Sequence, residues 1–444
     1  MKKLADSVEK FQKIILDTQN YIWKNPETGY KEYKTSEYLE KTFKDLGYDI
    51  VKPEGLTGFF TVVDTKKPGP EILVLAELDS VICPEHPDAD KTTGAVHSCG
   101  HSAQCAAIVG VAAALKQQGA LDGLCGKIKL CLVPAEELLE IEYRKNLIKE
   151  GKIKYFSGKQ EFMYRGFFDT TDIAFMIHSS SKFSSIKGNI GIIAKSIRYK
   201  GVAAHAGGAP WDGKNALYAA TCGINAANAL RETFKEEDII RFHPIITSGG
   251  AMVNAIPSTA TIESFVRGKT YDAIIDANRR INQALCGAAL SLDVNVDISD
   301  FPGYAPLVND IELRKVFKEA VNFVLPDEEI IETDNFSSGS TDMGDLSQIM
   351  PVIHPYSGGA VGNSHGSNYY IEDPQKACIA SAKVQLCMLY LLLSDNASRA
   401  MKIKKDYKPN FDSVKSYLDY IDSLNSSGDR IAYKNGQATV MIEK

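Results

Sequence analysis

Cysteine, histidine and glutamate stand in this chain where they could share an ion. His97-Ser98-Cys99-Gly100-His101 sets a thiolate and an imidazole two residues apart, around a glycine that permits a tight backbone. Glu136-Glu137 puts two carboxylates at the end of an apolar run, where one could bind a cation and the other face the water that cation activates. His178 closes a second apolar run, and His365 lies in Gly362-Asn363-Ser364-His365-Gly366-Ser367. Each has a plainer reading by itself: a buried cysteine beside a helix-capping histidine, a solvated acidic turn, a hydrogen-bonded strand-end histidine, a surface-loop histidine. Taken together, one Cys, three His and one Glu at loops after strands are donors of the kind a pair of borderline divalent ions requires.

The runs that carry these groups are short and continuous. Ile72–Ala76 precedes Glu77, Ile128–Ala135 precedes Glu136, and Ile173–Ile177 precedes His178, so each predicts a strand buried on both faces. Helical stretches separate them, notably Ala106–Leu115 closed by Gly119, and the alternation predicts an α/β fold with a mostly parallel sheet covered by helices. Ligands gather at the carboxyl ends of the strands in such sheets, which is where the polar residues sit. Ahead of the sheet, Val8–Phe11–Ile14–Ile15 and Tyr38–Leu39–Phe43–Leu46 have helical spacing, with Asn25-Pro26-Glu27-Thr28-Gly29 as a turn between them.

From about Asn189 the rhythm changes. Strand Ile192–Tyr199, a helix over 215–232, strands near 239–247 and 261–267, a helix over 271–289 and a strand at 293–298 predict an inserted α+β domain. The first rhythm resumes after Pro302, with a helix at Leu313–Val324, the Gly/Ser-rich Ser337–Asp345 and a closing helix at Gln375–Leu393. The expected division is therefore a catalytic domain over 1–188 and 301–395, an inserted domain over 189–300, and a C-terminal extension over 396–444. That extension holds an amphipathic helix near Val414–Leu424 and a hairpin about Asn435-Gly436.

Composition narrows the function classes. The 444 residues carry 56 acidic and 50 basic side chains, a formal charge of −6, with 44% hydrophobic and 24% charged residues, which excludes wholesale disorder, collagen and coiled coil. Basic residues are interleaved with acidic ones, and the short cluster Lys402–Lys405 reads as a solvated surface, so neither nucleic acid nor membrane is an expected partner. The nearly uncharged stretch Cys105–Leu115 is roughly half of what a bilayer span requires, and no charged start plus apolar core opens the chain. The expectation is a cytoplasmic, unprocessed protein. Its nine cysteines lack the clustering of a disulfide framework and are expected to be reduced and mostly buried.

The order of short motifs resembles the co-catalytic metallopeptidase and aminoacylase superfamily, in particular its amidohydrolase branch of aminobenzoyl-glutamate hydrolases and N-acyl amino acid amidohydrolases. The matching segments are Asn25-Pro26-Glu27-Thr28-Gly29, Ala76-Glu77-Leu78-Asp79, His97–His101, Pro134–Glu137, His178, Gly201–Ala206 leading to Gly213–Ala216, Asn254–Pro257, Arg267, Gly339–Asp342 and His365. They span roughly residues 10–395.

That resemblance implies a metallopeptidase catalytic domain with an inserted dimerisation or lid domain, acting as a homodimer. It implies that Cys99, His101, Glu137, His178 and His365 hold two divalent ions, Zn²⁺ or Mn²⁺ with Co²⁺ as a further candidate, the thiolate bridging. Glu136 matches the general base, and Asp79 a residue that orients a ligand. His205 matches the histidine that hydrogen-bonds the oxyanion in the partner's site, while Asn254, Arg267, Ser340 and Thr341 match groups that hold the substrate's free carboxylate. The implied reaction is hydrolysis of an N-acyl amino acid, an aminobenzoyl-glutamate conjugate or a small dipeptide; the alternative is a catalytically weak amino-acid or peptide-binding regulator on the same fold. Glu77 stands where other branches carry a ligating His, so a ligand role there is open. Ser102 and Gln104 depart from the Asp and His of many relatives, and the missing Asp removes an anchor for a ligand. Trp211 is expected to pack rather than stack on substrate.

Overall fold

Apolar runs without alternation become strands with no solvent face. Every residue of Glu71–Glu77 is buried, as are all but the first of Lys127–Val133 and all of Ile173–Phe175. The computed structural model describes residues 1–442, in two compact units.

The first unit comprises Met1–Gly188, Val308–Asn335 and Asp345–Lys415. Its main sheet runs Phe59–Asp64, Lys127–Val133, Glu71–Glu77, Ile173–Phe175, Val352–Ile353 in spatial order, with only the first strand antiparallel to its neighbour. The parallel strands therefore deliver Glu77, Glu136, His178 and His354 to one edge of the sheet. Helix His101–Leu115 is buried along its whole length, and its small side chains let it lie against Glu71–Glu77, Gln12–Trp23 and the segment from Gln375. Gln375–Leu393 is long and apolar enough to cross a membrane by length and composition alone. Most of it is buried inside the protein, where it forms part of the hydrophobic core.

The second unit comprises Asn189–Leu307, Phe336–Gly344 and the chain from Ser416 onward. An antiparallel sheet in the order Arg241–Ser248, Thr259–Gly268, Gly191–Lys200, Asn295–Pro302, Ser426–Asp429 packs with helices Ala216–Asn228 and Tyr271–Ser291. Asn215 and Thr270 cap these helices through side-chain oxygens that accept the N–H of Tyr218 and Ala273.

Two boundaries differ from the sequence expectation. The segment 396–444 is not one extension: helix Ser398–Asp406 stays in the first unit, whereas Ser426–Asp429 pairs with Asn295–Pro302 and Ile431 enters the second unit's core. An unpaired strand edge and a buried isoleucine explain that docking. Residues 336–344, expected in the catalytic domain, belong to the second unit, where Arg267 Nη1 donates to Ser340 Oγ at 2.9 Å. The hairpin forms about Asn435-Gly436, both at positive φ.

Lys195 occupies a place among the apolar residues of its strand and is fully buried, its ammonium on Asp300 Oδ1 and on Asn282 Oδ1. Asn278 and Asn282 each donate to Asp300 Oδ2 at 2.9 Å. Burial opposes ionisation of Asp300, but the Lys195 ammonium outweighs it and holds the carboxyl below its usual value. A depressed folded-state pKa contributes stability above the unfolded pKa and loses it as pH falls through the folded one, here in the acid range below about 4. Asp300→Ala is expected to cost about 3–5 kcal/mol at neutral pH and to flatten the acid limb of stability, read from urea unfolding across pH.

Candidate metal centre

Gly100 sits at φ +92 as the N-cap of helix His101–Leu115, a conformation that favours glycine. A Cβ there would lie 2.0 Å from Ser179 Oγ and 2.2 Å from Tyr369 Oη. Those two hydroxyls occupy the space because they hold the loop: Ser179 Oγ donates to Gly100 O and Tyr369 Oη to Cys99 O. The loop thus fixes Cys99 and His101 at the amino end of a buried helix.

The imidazoles are aimed by their outer nitrogens. His101 Nδ1 donates to Asp79 O at 2.8 Å and lies 3.3 Å from Asp79 Oδ1, while His178 Nδ1 donates to Ser179 O at 2.9 Å. Each Nε2 is thereby left facing inward, as in histidines prepared to bind a cation. His178 Nε2 is 3.3 Å from Cys99 Sγ, and Cys99, His101 and His178 each bring a donor atom within 4.8 Å of the other two.

A second group of Cys99, Glu137 and His365 converges equally closely, with His365 Nε2 3.0 Å from Glu137 Oε1. Cys99 belongs to both groups. A third, Glu77, His101 and Glu136, lies beside them. Glu136 and Glu137 are buried rather than forming a solvated turn, and Asp79 Oδ2 accepts the backbone N–H of Glu137 at 2.8 Å. Asp79 therefore ties the His101 ring and the Glu137 backbone together, and supplies an anchor for His101 in a chain that has Ser102 at the next position.

The electrostatics are those of an anionic nest lined by imidazoles. Burial alone would push the Cys99 thiol up, but His101 and His178 pull it well below its usual value. Burial opposes charge on His101, yet Cys99 and Glu77 hold that imidazole well above its ordinary range. Burial and then the Cys99 charge raise Glu137, and the Glu137 carboxylate raises His365 to about 11. His101 Nε2 is buried and makes no hydrogen bond, although Glu77 Oε2 lies 3.3 Å away. Soft thiolate, imidazole and carboxylate donors in two groups sharing one sulfur fit two borderline divalent ions.

The sequence between residues 73 and 390 matches the model of the peptidase family M20/M25/M40. The chain belongs to that family. It is similar to the Xaa-Arg dipeptidase of Mus musculus, 27% identical over 372 residues that cover 80% of this chain and 79% of that one. It is also similar to the N-acetyl-L-cysteine deacetylase of Bacillus subtilis, 26% identical over 340 residues covering 71% and 74% of the two chains. Among solved structures, a dinuclear metal-binding peptidase of the M20 family from Bacillus subtilis aligns with a TM-score of 0.64 and 18% identity, over 87% of this chain and 99% of that one.

The other residues singled out in this M20 sequence lie in the second unit. His205 is exposed, and its Nδ1 accepts the N–H of Gly207 and Gly208, which puts the ring proton on Nε2. Asn254 is exposed on the loop paired with it, Ala206 N donating to Asn254 O. Arg267 meets Ser340, but Thr341 is buried with its hydroxyl accepting Met343 N, a local helix-start role. Trp211 is 78% exposed rather than packed, because it sits on a short turn outside the helix-sheet core.

Sequence reasoning missed Lys159 and His354. The Lys159 ammonium, fully buried, donates to Glu77 Oε1 at 2.6 Å, and Gln104 donates to Glu77 Oε2 at 2.9 Å. Burial would raise Glu77, but Lys159 and the nearby imidazoles bring it to about 2. His354 ends the apolar Val352–Ile353, a signal of the same kind as His178, and its ring centroid lies 5.6 Å from that of His178. Lys159→Met strands a buried carboxylate and is expected to lower stability by about 3–5 kcal/mol, with Glu77→Gln added in the same chain recovering most of the loss in the unfolding midpoint.

Proposed function

We propose that this chain is a two-metal amidohydrolase that cleaves the amide of an N-acyl amino acid or small dipeptide bearing a free carboxylate. The observation that carries the reading is the sharing of Cys99 by two donor groups with Glu136 buried beside them. The activities for which the mouse dipeptidase and the Bacillus deacetylase are named support the substrate class.

Cys99, His101 and His178 would hold one ion, and Cys99, Glu137 and His365 the other, with Zn²⁺ or Mn²⁺ the leading identities and Co²⁺ a further one. When bound, such ions supply Lewis acidity that polarises a carbonyl oxygen and makes water more acidic. Glu136 takes the proton from the attacking water and returns it to the leaving amine. His205, protonated at Nε2, donates to the carbonyl oxygen as negative charge builds there, a contribution of about 3 kcal/mol for a typical oxyanion donor. Arg267, steadied by Ser340, offers a bidentate fork to the substrate carboxylate, with Asn254 as a further donor. A binding protein has no use for a water-activating carboxylate, which weighs against the regulator reading.

His205 matches, by resemblance, a histidine that reaches into a partner's site, so the reading includes a homodimer. Its support is the edge strand Arg241–Ser248, which is open along one side and exposes Ile245 and Ile246, with Met252 and Val253 in the following loop.

Glu136→Gln is expected to keep two ions per chain by elemental analysis and to lose at least about 10²-fold in kcat on acyl-amino acid and dipeptide substrates; near-normal turnover would remove Glu136 as base. His205→Ala should lower kcat by about 10²–10³-fold with metal content unchanged. Replacing Ile245 and Ile246 with Glu is expected to shift the solution mass, measured by light scattering, from two chains to one.

A further inference from the structure

Glu32 is fully buried, and the donors on its two oxygens are uncharged. Oε2 accepts the Thr57 hydroxyl at 2.7 Å and Oε1 accepts the backbone N–H of Ala135 at 2.8 Å. Ala135 has φ +55, a left-handed conformation that residues with a Cβ rarely adopt, and it immediately precedes Glu136.

The turn around it is held unevenly. Glu137 is fixed on both sides of its peptide, its N–H by Asp79 Oδ2 and its carbonyl by the buried Arg144 guanidinium. Ala135 is held by Glu32 at its N–H, and at its carbonyl by the N–H of Gly158 at 3.3 Å and by Arg144 Nη1 at 3.5 Å. The turn 25–29 packs against the same residue: a Cβ on Gly29 would lie 2.9 Å from Ala135 Cα. Burial and the charge of Asp79 push the Glu32 carboxyl up to about 7, so keeping a carboxylate there works against stability unless it does something else.

We propose that Glu32 is a positioning residue whose carboxyl group holds Ala135 in the left-handed conformation and so aims the Glu136 carboxylate at the reacting water. The proposal rests on the hydrolytic reading above. It separates two tasks in one turn: Asp79 holds the N–H of the metal donor Glu137 and Glu32 holds the N–H of the residue that aims the base, while Arg144 spans the carbonyls of both.

Four variants test it. Glu32→Ala removes the holder; Glu32→Asp keeps the acid but withdraws its reach; Glu32→Gln keeps an oxygen for Ala135 while its amide can donate to Thr57; Thr57→Val removes only the other partner. Glu32→Ala and Glu32→Asp are expected to lower kcat by about a hundredfold with KM within about threefold and two ions retained. Glu32→Gln should recover kcat to within about tenfold of wild type, and Thr57→Val should stay within about twofold. If Glu32→Ala does not fold, Glu32→Asp decides. Equal losses in Thr57→Val and Glu32→Asp, or losses that follow melting temperature alone, would reduce Glu32 to a packing role and overturn the proposal. Crystal structures of the variants give a readout independent of turnover: Ala135 is expected to leave positive φ in Glu32→Asp, and its retention together with a lowered kcat also overturns it. A wild-type protein inactive on every amide substrate would sink the hydrolytic reading alone, because the Ala135 conformation in the variants still tests the positioning.

Discussion

The Cys99 sulfur lies between two sets of donors, imidazoles from His101 and His178 on one side and the Glu137–His365 pair on the other. A thiolate buried this deeply is tolerated only where positive charge surrounds it, and most of the neighbouring architecture serves that need. Gly100 turns the chain so that the helix can begin immediately after the sulfur, and Tyr369 and Ser179 hold the loop by its carbonyl oxygens. The parallel strands then bring the remaining groups to the same edge of the sheet. Replace the sulfur, and both donor groups lose their common member.

Collecting Glu77, Asp79, Cys99, Glu136 and Glu137 in one buried region concentrates negative charge far beyond what imidazoles alone balance. The structure answers with Lys159 on Glu77 and with Arg144 on the carbonyl oxygens of Ala135 and Glu137. These cations contribute little net stability when weighed against an apolar equivalent, yet removing one is costly because its partner stays buried. Such pairs fix charges at defined positions, which is what a site that must stabilise a changing charge distribution requires.

The strands and their polar ends were readable from sequence because, in an alternating α/β pattern, a continuous apolar run that stops at a polar residue fits little besides a buried strand reaching the sheet's edge. The donor groups were readable because Cys, His and Glu recurred at those ends. Lys159 and Arg144 left no trace: each sits in a short helix, and only tertiary packing reveals that Arg144 shares the inward face with Ile141 and Leu147 and that Lys159 lies in a helix buried almost all round. Glu32 was hidden in the same way, two residues from the solvent-facing Lys34. The docking of the last segment depended on an edge strand whose partner lies far away in the chain, a pairing that local periodicity does not encode. Trp211 shows the reverse error, since a large aromatic invites a core assignment that a short exposed turn does not fulfil.

That last segment also constrains how the second unit can associate. A five-stranded antiparallel sheet has two edges, and Ser426–Asp429 forms one of them from the chain itself, as a strand of only four residues followed in sequence by a separate hairpin. Short, self-supplied margins of this kind are poor templates for further strands. In the proposed homodimer, growth through these sheet edges would have one usable direction: two copies meeting by Arg241–Ser248 would leave only blunt margins outward, and the assembly would terminate instead of polymerising.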